Sequence, residues 1–472
     1  MKKVFKIFEK LFEIPSRDVY FASGKHRKMA FVLALILIMS SLIIGWNYYD
    51  IMWWVSWYRI VQREGASAVL FIYTLCQPPT CKVPYPPLAV LIFVSVYAIA
   101  MLVPYQFRYI ILKLCLVIVP ALIIFYIIKK RRGFDIALIW LLSLPLIQVL
   151  FALQFDVLIA MLILLSTIYI TKKEYSKASI VLALATLIKH ICVIILPLHI
   201  IFTYRENGLR KAFEYLLTFS MIALLFCMPF YIVSREDFIN NLISFHASRP
   251  PQDLSIWALP TYLLEYDIST YSSILNILWI VPLAATYLAA LYIAQKEMKK
   301  MLKHDDTLTS IALFTSLLLL LFITFNKVGN LNYLVWFVPT SLIALNLRKI
   351  KNFVSLTAIL VLFIALPYSL LLWCIPATDY RQSFIAEDVG YWDARTVFTQ
   401  SINYYIIYTA GVFQRYAIMP IRMYVPSDVL DFLEIIKMLN AIKRILVAIL
   451  IILAQPLLIS LIYLHSNVLK SE

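Results

Sequence analysis

The chain has 472 residues, 62% of them hydrophobic and only 14% charged, with a mean hydropathy of +0.85. No soluble fold buries so much apolar surface, so the class is an all-α polytopic membrane protein. The net charge of +16 would suit a nucleic-acid partner, but the lysines and arginines stand in short loops between apolar runs, where cytoplasmic positive charge sets orientation. Nucleic acid is therefore set aside as a partner.

Residues 1–28 are basic and amphipathic and read as a cytoplasmic interfacial helix. No small-residue cleavage site follows the apolar run 29–46, which argues against a cleavable signal. Helix 29–46 carries the chain out into an external loop, 47–107, which opens with Asp50 among aromatics. Cys76 and Cys81 flank the turn QPPT in that loop, where two free thiols or, in an oxidising compartment, a disulfide both fit. Cys115, Cys192 and Cys227 lie in apolar helices and read as core residues. The stretch 86–104 opens with Pro86-Pro87 and closes at Pro104. It is expected to lie at or dip into the external interface, so that 108–128 crosses and KKRR at 129–132 lands inside.

Signs then alternate. Helix 134–152 goes out to Gln154-Phe155-Asp156, and 157–171 returns to Lys172-Lys173. Residues 177–204 break at Lys189-His190 into two halves, each about 21 Å long as helix, too short for a bilayer. They are expected to meet at a recessed external turn, with Arg205, Arg210 and Lys211 inside. Helix 212–233 leads out to the loop 234–257 and 272–295 returns. Helix 307–325 goes out to NKVGNLN, 333–347 comes back to Arg348, Lys349 and Lys351, and 352–374 goes out again. An external segment, 375–442, and a last helix with its tail, 443–472, complete about twelve spans with both ends inside. No internal repeat is visible.

Asp50, Tyr85, Asp156, Lys189-His190, the run from His246 to Ser255, and Asn326-Lys327 thus fall on one side of the membrane. That set suits transfer of a sugar from a polyprenyl phosphate. Lys, Arg or His can stabilise the phosphate as charge builds on it, with no metal or cofactor required. A carboxylate can take the proton of the acceptor hydroxyl, and an apolar groove can hold the lipid tail.

The order of these pieces resembles the GT-C superfamily of polyprenyl-phosphate-sugar-dependent glycosyltransferases. The resemblance is carried by the acid in the first external loop, by YPPL at 85–88, and by QFD at 154–156. It is carried further by LIK at 187–189 before a short helix ending in Pro197, and by FNKVGNLNYLVWFVP at 325–339. The last segment resembles GPI mannosyltransferase I catalytic subunits and their prokaryotic relatives. The resemblance covers roughly residues 29–375, so that 29–374 would be a GT-C-like catalytic module. It implies an inverting transfer with the first loop's acid as base and an interfacial helix after it. It also implies a polyprenyl- or dolichyl-phosphate donor, a lipid-linked or protein-linked acceptor, and a hexose, mannose or glucose. The Asp-x-Asp of the GPI enzymes is not kept, since Asp50 is followed by Ile51 and Met52.

Each site residue has a plainer reading. Asp50 either caps the amphipathic segment or acts as base, and its place at the membrane mouth favours the base. Asp156 fits capping and sugar or acceptor contact equally. Lys189 would cost about 2.5–3.5 kcal/mol at full membrane depth unless paired, so phosphate binding is read first and snorkelling second. His190 is a second donor or a satisfied turn histidine. Lys327 is raised from loop cation to phosphate or sugar ligand by the resemblance. His246 and Arg249 face the donor phosphate or form a solvated loop. Tyr85 and Trp257 belong first to the interfacial aromatic belt and second to sugar stacking. GYWDA at 390–394 is similar to an oligosaccharyltransferase signature, but without a large soluble domain Asp393 is read as a surface acid. The rival class is a transporter or lipid-linked-glycan flippase, which usually shows repeats and ionisable groups at the midplane. The setting is a prokaryotic plasma membrane with the site outside, or the endoplasmic reticulum membrane in a eukaryote.

Overall fold

Lipid offers backbone amides no partners, so a chain this apolar satisfies them within helices. The computed structural model describes residues 24–45, 49–76, 81–249, 251–263, 277–301, 307–368, 392–393 and 427–470. Helix α1 (Gly24–Ile43) leads through strand β1 (Ile44–Gly45) to α2 (Tyr49–Glu64). Helix α3 (Pro87–Ala100) begins with a proline in its first turn, where a missing N–H leaves nothing unpaired. Helix α4 (Phe107–Arg132) ends in Lys129 to Arg132, cations that suit the negative end of a helix, and Gly133 at φ 91° turns the chain. The expected single helix 134–152 is instead two, α5 (Phe134–Leu141) and α6 (Leu144–Ala152), bent by 46° at Pro145 in the first turn of α6.

Helices α7 (Asp156–Thr171) and α8 (Tyr175–Ile188) follow, and Lys189 in extended conformation breaks the run as expected. A 3-10 turn, His190–Ile195, opens into α9 (Leu196–Val233). This helix is not one rod. His199 Nδ1 lies 2.9 Å from the Tyr215 hydroxyl, sixteen residues on. A straight helix would separate them by about 24 Å. The chain folds back at Gly208, whose φ of 80° is open to glycine, and Arg205, Arg210 and Lys211 flank that reversal.

The helical run from Arg235–Ile239 to Phe245–Ser248 leads to β2 (Gln252–Asp253). Then come α10 (Ile280–Met301), α11 (Thr307–Phe325), β3 (Val328–Gly329), a 3-10 turn (Leu331–Val335) and α12 (Val338–Ala344). Helix α13 (Leu347–Tyr368), β4 (Trp392–Asp393) and α14 (Ser427–Lys470) complete the order. The end of the expected external segment 375–442 and the expected last helix form one continuous helix from Ser427. Of the expected helix at 1–28, only its end from Gly24 is described. Of 375–442, only β4 and the start of α14 are.

Among the described residues, five helices are long and apolar enough to cross a membrane, or six if the α5–α6 pair counts as one span. The reversal at Gly208 divides one of the five into two arms. Four further apolar helices have only 10–17 residues. The expected twelve spans counted such runs as crossings, whereas the sixteen residues of α7 reach about 24 Å against a core of about 30 Å. Helices α7 and α11 are apolar and buried nearly all round and form the interior. The second arm of α9 and helix α14 instead expose leucine and isoleucine, among them Leu224, Leu225, Ile449 and Leu453, as a lipid-facing surface would.

Specific contacts define two ends. At one, Arg27 pairs with Asp135, Lys173 with Glu206, and Arg132 donates to the Leu345 carbonyl. The basic clusters thus share that end. At the other, Thr74 donates to Ser234 and Gln455 to the Leu254 carbonyl.

Candidate active site

At this second end Asp156 begins α7, fully buried, and does not cap it. Its carboxylate accepts from Lys189 Nζ (2.7 Å), from Trp336 Nε1 (2.7 Å) and from Asn332 Nδ2, which also donates to Gln154. Lys189 Nζ stands 4.5 Å from the Tyr333 ring centre, 4.9 Å from Trp336 and 5.2 Å from Phe155. Tyr333 and Trp336 stack at 4.1 Å. A lysine in an apolar helix break is tolerable here because it meets a carboxylate and three ring faces.

Phe155 also meets the Tyr85 ring edge-on at 5.3 Å, and Trp57 and Phe93 close the cluster. Tyr85 therefore sits in a ring cluster with Trp57, Phe93 and Phe155. Its carbonyl accepts from Tyr73, the Lys82 carbonyl from Trp57 Nε1, and the Pro84 carbonyl from His246 Nε2 at 2.9 Å. Cys76 and Cys81 form a disulfide just before these carbonyls in the sequence.

His246 in turn packs on His190, ring centres 4.4 Å apart. Burial first, then the positive Arg249, Lys189 and Lys327, push the His246 imidazole down to about 4, although its bond to Pro84 opposes the shift. It is neutral at pH 7 and donates through Nε2. Lys327, 3% exposed, donates to the Ala247 carbonyl at 2.6 Å. Burial and then Arg249 hold its ammonium below the usual lysine range.

The two cations are brought together by a short parallel ladder. Gln252 pairs with Val328 and Asp253 with Gly329, through Gln252 N–H to the Lys327 carbonyl (3.0 Å) and Leu254 N–H to the Gly329 carbonyl (3.2 Å). Position 329 must be glycine, because a Cβ there would stand 2.5 Å from Ser255 N and 2.8 Å from Leu254 C. Ser255 donates to the Asn326 carbonyl, and Trp257 Nε1 to the Phe325 carbonyl at 2.9 Å. Trp257 thus acts as a strut between the two loops.

All the expected binding residues join one chain of contacts: Tyr85, Asp156, Lys189, His190, His246, Arg249 and Lys327. Lys189 and Asp156 within it face each other. Asp50 lies in the first turn of α2, one turn before Trp54, and its side chain falls outside the described residues. Trp54 stacks on Phe93 at 4.2 Å and is buried. Its indole N–H has no hydrogen-bond partner among the described residues. Asp393 pairs by its backbone with Gly45, and its side chain, read as a surface acid, also falls outside the described residues. Sequence reading missed Asp253, at φ 58°, which accepts from Tyr368 (3.1 Å) and Gln252 (3.2 Å). Its signal was an acid just past Arg-Pro-Pro in a stretch read only as a polar loop.

An all-helical membrane body with acids and bases gathered at one end has the build of a membrane-embedded glycosyltransferase of the GT-C-like type. Residues 84–324, just over half of the chain, match the model of glycosyltransferase family 87, and the chain belongs to that family. That membership speaks for sugar transfer over transport, and it lends no support to the expected likeness to GPI mannosyltransferase I subunits. No curated protein matches the chain.

Proposed function

We propose that this protein is an inverting hexosyltransferase that moves mannose or glucose from a polyprenyl- or dolichyl-phosphate donor to a lipid-linked or protein-linked acceptor. The reading rests on one observation above all: the β2–β3 ladder draws the segment bearing Arg249 and the segment bearing Lys327 together, next to the packed His190 and His246 rings. Basic side chains gathered in a partly buried site favour the binding of an anion among them. The donor phosphate is that anion. The basic clusters at the opposite end favour an extracytoplasmic site, in a prokaryotic plasma membrane or the endoplasmic reticulum.

In this scheme Asp50 takes the proton of the acceptor hydroxyl as that oxygen attacks the sugar C1 from the face opposite the phosphate. The C1–O bond to phosphate breaks, and polyprenyl phosphate leaves with its charge stabilised by Arg249, Lys327 and the His190 imidazole N–H. Tyr85 and its ring cluster flank the sugar. The Asp156–Lys189 pair supplies a fixed, buried dipole beneath it.

Asp50→Asn should lower turnover by about 10² to 10⁴ while leaving donor binding near normal, measured with purified protein and a short-chain polyprenyl-phosphate mannose or glucose. Turnover equal to the parent would remove the base assignment. Lys327→Ala should raise the donor concentration for half-saturation about tenfold or more, and unchanged binding would count against the phosphate lobe.

A further inference from the structure

We propose that Asp253 is a positioning residue that aims Arg249 at the donor phosphate through the side-chain amide of Gln252. The inference rests on the phosphate role of Arg249 proposed above and adds the device that sets its direction.

Gln252 stands between a group that can only donate and a group that accepts. Its Oε1 accepts from Arg249 Nε (3.3 Å), and its Nε2 donates to Asp253 Oδ2 (3.2 Å) and toward Asn330 Oδ1 (3.5 Å). Turning the amide over would put an NH2 against the guanidinium and an oxygen against the carboxylate. Both neighbours forbid that orientation. Asp253 is fixed from its other side, since Tyr368 donates to Oδ1 and lies beside the Tyr262 hydroxyl. Its backbone at φ 58° is a conformation that aspartate and asparagine tolerate better than most residues.

The order of orientation therefore runs from Tyr368 to Asp253, to Gln252, to Arg249. Holding Arg249 by Nε leaves its two terminal nitrogens without a hydrogen bond among the described residues. Those nitrogens form the edge of the guanidinium that suits bidentate contact with a phosphate. The Arg249 guanidinium lies 5.9 Å from the Phe245 ring centre, which leaves the amide as its directional constraint.

The test uses two single variants and a compensating pair in the purified full-length protein. In Asp253→Asn the new amide keeps an acceptor for Tyr368 but turns an NH2 toward Gln252, which forces the glutamine over and releases Arg249. The donor concentration for half-saturation should rise about tenfold, with turnover at saturation within about twofold of the parent. Adding Gln252→Glu restores both bonds, since one carboxylate oxygen accepts from Arg249 and the other from the amide introduced at position 253. Half-saturation should then return to within about threefold. Arg249→Ala serves as reference. If it leaves donor half-saturation unchanged, the phosphate reading itself fails. If it weakens the donor but Asp253→Asn does not, or the double variant stays as weak as Asp253→Asn, the positioning role is overturned. The double variant keeps the question answerable even if Asp253→Asn alone is poorly folded.

Discussion

Two aspartates, each in the first turn of a helix, pair with distant bases at opposite ends of the molecule. Asp135 opens α5 and holds Arg27 by two bonds, of 2.7 and 2.9 Å. Asp156 opens α7 and holds Lys189 by one, of 2.7 Å. The side chains of the first pair are 42% and 17% exposed, and those of the second 10% and 0%. Similar chemistry thus serves different ends. The exposed pair ties two helix starts together in a solvated setting, where water would satisfy either partner alone. The buried pair lies among Phe155, Tyr333 and Trp336, where little water reaches either partner. Geometry alone would rank the Arg27 pair first, and burial reverses the ranking.

That contrast breaks most sharply at Lys189. Lys189→Ala leaves Asp156 charged and buried, and should cost about 3–5 kcal/mol, read as a lowered thermal midpoint in detergent. Lys189→Met combined with Asp156→Asn keeps an acceptor for Trp336 without the charge and should be more stable than the single variant. A loss below about 1 kcal/mol for Lys189→Ala would mean that the pair is reached by water.

A second measurement sharpens the difference by titration. His246 faces Arg249, Lys189, Lys327 and His190, and its imidazole is held down at about 4 against an ordinary 6.5. The unfolded chain takes up this proton first as pH falls. Stability contributed here is therefore full above about 6.5 and is lost progressively toward 4. An anion beside the ring favours the charged form, so donor binding takes up a proton. Affinity for a polyprenyl-phosphate sugar, a diester that does not itself titrate in this range, should rise about three- to tenfold between pH 7 and 5. In His246→Gln that rise should vanish, and a rise that persists would place the titrating group elsewhere. The smallest effect belongs to the exposed pair: Arg27→Ala should change stability by about 1 kcal/mol or less, and added salt should erase even that.

The sequence carried the alternation of ends, because Lys129 to Arg132, Lys172-Lys173 and the cluster around Gly208 are local signals. It carried the break at Lys189 for the same reason. A lysine between apolar halves announces that some partner exists. It does not say that the partner is Asp156, 33 residues earlier, or that Trp336 and Asn332 share the same carboxylate. Those pairings are decided by how α7, α8 and the 331–344 segment pack. Asp253 stayed hidden because its value comes from two neighbours, Gln252 and Tyr368, the second of them more than a hundred residues away. Hydrophobicity is not length: among the described residues five helices, or six with the bent pair, are both long and apolar enough to span, against the twelve expected. A run can be apolar because it lies inside the protein, as α7 does.

The missing Cβ at position 329 has a further consequence for this fold. Two backbones meet there with no side chain between them, so the spacing between the segment bearing Arg249 and the segment bearing Lys327 is gauged by main-chain atoms alone. Even a methyl group would act as a wedge, widening the cationic jaw by the one dimension that a single phosphate has to bridge.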